Sequence, residues 1–267
     1  MALTDFDEYV DKLKENRVAD FSTSTIRILR PNASWQYFNP APATPTTSVA
    51  LDKNSAQSMG PIPAVSTGRL TMLGARISTT NYGAASMMVV DLLNVSGGLN
   101  GTLTTPQTTN LPTAALTRYT SGEGVMAGIV VYGIIGTTQT TVTISYTNSA
   151  GVSGRISTAT IIGGGFYREV GILIPIPLQG SDKGFRSIES VTLAGTTGSA
   201  GNFGVCMFKP LAMISLESAT GAMPLDAVST GCIINSLCEI HPDACLTFSA
   251  VTVVNFGITG ALILGEV

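Results

Sequence analysis

In TTVTISYT, residues 140–147, apolar and hydroxyl side chains take turns. Val142, Ile144 and Tyr146 fall on one face of an extended chain, and Thr141, Thr143, Ser145 and Thr147 on the other. A period of two marks a half-buried strand, because successive side chains on an extended backbone point to opposite faces. The small polar stretch Asn148–Gly151 supplies a turn, and Ile156 resumes a strand, so residues 145–158 read as a hairpin with one apolar and one hydroxyl face. Threonine on the outer face keeps β propensity without adding charge.

Comparable runs recur from residue 70 onward: LTMLGARIS, SMMVVDLL, VMAGIVVYGII, GRISTATII, GILIPIPL, SIESVTLA, FGVCMFKPLAMISL, ACLTFSAVTVV and GALILGEV, separated by Gly, Asn and Ser. None carries a helical period. Strands this frequent, with no helices between them, predict an all-β fold of packed antiparallel sheets, and a jelly-roll-like β sandwich fits their number.

The first residues differ. LTDFDEYVDKLKENRV, residues 3–18, sets Leu3, Phe6, Val10 and Leu13 at helical spacing among charges. Thr4 and Asp7 suit its N-terminal cap, and Asp5, Asp7 and Glu8 suit the positive end of its dipole. A short amphipathic helix is expected there. From Pro31 to Pro63 repeated prolines argue against regular helix and inner-strand pairing, so an extended Pro-rich arm should follow. Trp35, Tyr37 and Phe38 lie within it and are too apolar to leave in water. The expected division is therefore 1–64, helix and arm, and 65–267, a β-sandwich domain. Phe6, Val10 and Leu13 on the helix, with Trp35, Tyr37 and Phe38 on the arm, are the candidate partner-binding residues.

Composition narrows the function classes. Charged residues make up only 12% of the 267-residue chain, with a net charge of −3. That is about half the usual charged share. A surface so poor in charge suits a subunit covered by other protein molecules. An acidic balance with no basic stripe speaks against nucleic-acid binding, and no apolar run reaches the length of a membrane span.

Reactive groups are few. His241 is the single histidine, in CEIHPDAC, so a Ser-His-Asp or Cys-His mechanism must pass through it, and Pro242 marks it as a turn residue. Cys232, Cys238 and Cys245 with His241 do not have the spacing of a zinc set, and buried free thiols are the simpler expectation for the cysteines, Cys206 included. The acids, Asp91, Glu123, Asp182, Glu189, Glu217, Asp226, Glu239 and Asp243 among them, are scattered without the pairing that glycoside hydrolysis needs. GTTGSAGNFG and IIGGGFY lack the Lys-Ser/Thr of a phosphate loop and read as turns. Arg168 with Glu169, and Lys183 with Asp182, read as loop charge pairs. No catalytic residue, cofactor or metal is expected.

Four segments carry a resemblance: GLNGTLTTPQTTNLPTAALTRYTSGEGVMAG (98–128), TTVTISYTNSAGVSGRIST (140–158), PIPLQGSDKGFRSIESVTLAGTTGSAGNFGV (175–205) and DACLTFSAVTVV (243–254). Together they resemble a group of tailed-bacteriophage virion structural proteins. The resemblance covers residues 65–267 and rests on turn chemistry rather than on catalytic motifs. It implies a non-enzymatic β-rich subunit assembled in the host cytoplasm into a virus particle, a capsid decoration or cement protein. Its partners would be copies of itself and the major capsid protein or another virion protein. A tail, neck or baseplate component, or a carbohydrate- or receptor-binding jelly roll, is the alternative.

Overall fold

A computed structural model describes residues 17–26, 35–36, 47–59, 62, 70–79, 85–216, 223–226, 239–252 and 256–266. Every regular element among them is a strand, β1 to β15, and no helix occurs among the described residues. The expected helix falls mostly on residues 1–16, outside the described residues, and its last two positions already belong to β1, Arg17–Ile26. Backbone contacts divide the chain into two compact units, one of residues 34–51 and 92–210, the other of 1–33, 52–91 and 211–267.

The first unit is a sandwich of two antiparallel sheets. One sheet contains β5 (Ala85–Val95), β12 (Asn202–Leu216), β6 (Met126–Gly133), β10 (Ile172–Ile176) and β2 (Trp35–Gln36) in that order, with β3 (Val49–Ala50) on the far side of β5. The other runs β11 (Phe185–Leu193) to β7 (Thr140–Asn148), whose second edge is shared by β8 (Arg155–Ile156) and β9 (Thr160–Ile162). GRISTATII, a single run in the sequence, is thus two short strands. Ser157 and Thr158 between them explain the break: the backbone N–H of Ser157 bonds back to Ile144 and that of Thr158 to Pro177, so the chain leaves the ladder there.

Alternation puts one side of each sheet into a shared core. Val142, Ile144 and Tyr146 of β7 and Ile188, Val191 and Leu193 of β11 meet Ala127, Ile129 and Val131 of β6 and Phe203, Val205 and Met207 of β12. The first sheet is buried on its other side as well, where Val130, Leu173, Cys206 and Phe208 are covered. A sheet buried on both faces needs nearly continuous apolar strands, as GIVVYG and FGVCMF are. Pro210 falls beyond the last β6 partner of β12, Phe208, where its missing N–H breaks no bond to β6.

The second unit holds a four-stranded sheet in the order β1, β15 (Phe256–Glu266), β4 (Leu70–Thr79), β13 (Met223–Asp226), and a pairing of β14 (Leu246–Thr252) with the first residues of β5, Ala85–Asp91. Leu70, Met72, Leu262 and Leu264 are buried in it, as are Val89, Val90 and Phe248. Residues 52–59 tie to the 240s, with the Met59 N–H on Leu246 and the Lys53 N–H on Asp243.

Strands from the first 64 residues are therefore ladder members. β1 pairs with β15 from Arg17↔Ile263 to Ile26↔Phe256, β2 with β10, and β3 with β5. β2 and β3 lie at the two outer edges of the first sheet of the sandwich. An open edge is a template for uncontrolled pairing, so this arrangement blunts both edges with residues of one segment.

Candidate functional site

The hairpin from β7 to β8 is shaped by Asn148. Its side-chain oxygen accepts the N–H groups of Ala150 and Val152 at 3.1 and 2.9 Å, and its own N–H reaches the Val152 carbonyl at 3.0 Å. Gly151, at φ 80°, takes the left-handed conformation the turn requires.

From this turn three side chains converge on Asp182, in the connection between β10 and β11. Arg155 reaches its two oxygens through Nε at 2.9 Å and Nη2 at 3.2 Å, the Tyr146 hydroxyl donates at 2.6 Å and the Asn148 amide at 2.8 Å. The forked pairing of guanidinium and carboxylate is the strongest geometry available to the two groups. The Arg155 guanidinium, helped by the Tyr146 and Asn148 donors, holds the Asp182 carboxyl down to about 2 against an ordinary 3.8. Burial, and the Asp182 carboxylate next to it, push the Tyr146 hydroxyl up. That hydroxyl also accepts the Gln179 N–H at 2.9 Å, and the Tyr146 ring leans on Phe185 with centroids 4.6 Å apart. Every polar group here faces another, so the cluster fastens the hairpin to the 177–184 connection.

The pairing expected between Asp182 and Lys183 is corrected by this geometry. Neighbours in sequence point apart on an extended connection, and Asp182 turns in to Arg155 while the exposed Lys183 lies 3.9 Å from Glu123. Arg168 and Glu169 do approach each other, at 3.6 Å, and both are partly buried.

The outer face of the second sheet is different in kind. Thr143 pairs with Thr192, Ser145 with Ser190 and Thr147 with Ser187, a ladder of facing hydroxyls. Beside it on the free edge, Ile156 pairs with Ser145 and Ile161 with Thr141, and the two isoleucines are 47% and 38% exposed. Glu189 stands at a bulge of β11 between Ile188 and Ser190. Its carboxylate accepts the Ser145 and Thr147 hydroxyls at 2.8 and 2.7 Å and the Gly154 N–H at 3.2 Å. The charge is thus spent inside the face.

Arg118 is buried as well and fixes β3: its Nη1 donates to the Leu51 carbonyl at 2.7 Å and its Nη2 to Leu92 at 3.0 Å. The Leu51 N–H on Leu93, at 3.0 Å, and the Ser48 hydroxyl on Asn94, at 2.8 Å, add to that attachment.

Of the residues expected to bind partners, Trp35 lies in β2 opposite Leu173 on β10. Phe6, Val10, Leu13, Tyr37 and Phe38 lie outside the described residues. Asp182, Arg155 and Glu189 were not singled out by the sequence, since their partners sit 27 to 44 positions away and leave no local pattern.

The groups weighed for chemistry have structural settings. His241 Nδ1 accepts the Asp243 N–H at 3.1 Å and its carbonyl accepts the Ala244 N–H at 2.9 Å, while Asp243 pairs with Lys53 at 2.9 Å, so the histidine is part of a turn. Cys206 and Cys245 are buried free thiols, and burial pushes the Cys206 thiol up. Cys232 and Cys238 lie outside the described residues. Among the described residues no three His, Cys, Asp or Glu side chains gather as metal ligands. Gly136 and Thr197 show what the glycine-rich pieces do: a Cβ on Gly136 would sit 1.7 Å from the Thr197 carbonyl oxygen, and its N–H bonds the Thr197 hydroxyl at 3.0 Å. Comparison with known protein families, with curated proteins and with solved structures finds no match for the chain.

Proposed function

We propose that this chain is a non-enzymatic structural subunit of a tailed-bacteriophage particle, a capsid decoration or cement protein built on a jelly roll. The observation that carries the reading is the outer face of the second sheet, with its facing hydroxyls and the exposed Ile156 and Ile161 beside them. A face whose carboxylate is already hydrogen-bonded has little charge to desolvate when it meets another protein. Contact with copies of itself and with the major shell protein would add many weak interactions, which stabilise a shell by mass action and multivalency.

The pairing scheme supports the jelly roll. Taken in chain order, with the Gln107–Val191 bridge as the second position, the sandwich pairs first with last (β5 with β12) and second with seventh (Gln107 with β11). Third then pairs with sixth (β6 with β10) and fourth with fifth (β7 with β8 and β9). A long hairpin rolled on itself gives this scheme, the one used by viral capsid and lectin domains. A sugar-binding version needs acids and aromatics offered to solvent at one end. Asp182 and Tyr146 do meet at an end of the sandwich, but they are bonded to each other.

The test uses particles that lack the protein. Purified full-length chain added to them should bind in many copies and raise the temperature at which they rupture. Binding to tails instead of shells would move the protein to the tail, neck or baseplate. A monomer that leaves both unbound sinks the proposal.

A further inference from the structure

Resting on that reading, we infer that β2 is an exchangeable strand: in the assembled state the Trp35–Gln36 segment of one copy pairs with β10 of a second copy. The pairing of β2 covers Ile172↔Gln36 and Leu173↔Trp35 at the outer edge of the first sheet. Ile172 and Leu173 are buried, so this edge is one the protein needs closed. The main-chain bonds that close it are the same whether the strand comes from its own chain or from an identical one, which is why strand exchange is a low-cost route to association.

The two attachments of the arm differ in what holds them. β3 is fixed by its ladder with Val95 and Asn94, by the Leu51 N–H on Leu93 and by the buried Arg118 on the Leu51 carbonyl. It is a root. β2 pairs over two residues only. Between them, residues 37–48 include Pro40, Pro42 and Pro45. A proline-rich stretch is stiff and, at about 3.1 Å per residue, reaches about 37 Å. The sheet edges that β2 and β3 occupy are separated by five strand spacings of about 4.8 Å, about 24 Å in all. A stiff connector longer than the span it closes lowers the effective concentration of the intramolecular pairing and favours a target farther away.

The experiment co-expresses two full-length chains of different mass, one carrying Gln36→Cys and the other Ile172→Cys, so that a bond between these positions can form only between copies. Oxidised assemblies are digested and the joined peptides identified by mass spectrometry, which separates this link from any made by the native cysteines. A Val49→Cys/Val95→Cys chain, at the β3 pairing, serves as the control and should link within one chain. A link between position 36 of one chain and 172 of the other is the expected result. Assemblies in which that link is missing, while a chain carrying both substitutions links to itself, overturn the exchange and leave the assembly role standing. A chain that stays monomeric by mass overturns both.

Discussion

The two sheets of the sandwich turn opposite kinds of surface outward. On the first, Val130, Leu173, Cys206 and Phe208 are as buried as the residues of the shared core. On the second, Thr143, Ser145 and Thr147 stand half-buried in a hydroxyl ladder with Ile156 and Ile161 exposed at its edge. One sheet is interior on both sides, and the other keeps a face for something else. The difference was written in the strands, since β6 and β12 are nearly continuous in apolar residues whereas β7 alternates strictly.

Phe208→Ala should do the greatest damage. Loss of a fully buried phenylalanine costs about 3–5 kcal/mol. For a chain of this size that lowers Tm by roughly 2–4 °C per kcal/mol, read in a thermal melt. A loss no greater than that of an outer-face threonine would show that the first sheet's second side is not interior. Ile144→Ala, from the shared core, should cost about 2–5 kcal/mol by the same cavity argument and calibrates what interior means here.

Tyr146→Phe keeps the ring against Phe185 and removes only the hydroxyl that links Asp182 to the Gln179 N–H. The expected loss is about 1–2 kcal/mol, measured by denaturant midpoint, because two partners lose a bond in a covered site. The same knot gives a pH signature. Asp182 is held at about 2 in the folded chain against an ordinary 3.8, so the folded state takes up its proton less readily than the unfolded one. Its stabilising effect is complete above the ordinary value and disappears as pH falls through about 2. Asp182→Asn should therefore be less stable at neutral pH and show a shallower decline in acid than the wild type. Parallel acid curves for the two would mean that the carboxylate is not held by these donors.

Thr143→Val should matter least, within about 0.5 kcal/mol for the isolated chain, since the change keeps shape on an outer face. A loss of several degrees would place that face inside a solution oligomer already.

The strands from residue 70 onward were legible because a repeat of two is a local property, and β4, β5, β6, β7, β10, β11, β12, β14 and β15 fall on the runs that predict them. β1 was not, because RVADFSTSTI has no apolar face, and what makes it a strand is β15 beside it. β13, MPLD, is short and carries a proline, and it too depends on its neighbour β4. Within the arm, prolines gave its extended character, and nothing in Trp35–Gln36 or Val49–Ala50 names β10 and β5 as their partners.

What the amino-acid order settles alone is the class of the fold, the inward and outward sides of β7, the turn positions, and a surface poor in ionic groups. Each is fixed by side-chain period, by glycine and asparagine backbone freedom, or by composition. Tertiary structure decided the rest: that Asp182 closes on Arg155 rather than on Lys183, that Glu189 is absorbed by Ser145 and Thr147, and that one segment covers both edges of a sheet. Those pairings join residues tens of positions apart, and only the folded ladder brings their atoms within hydrogen-bonding reach.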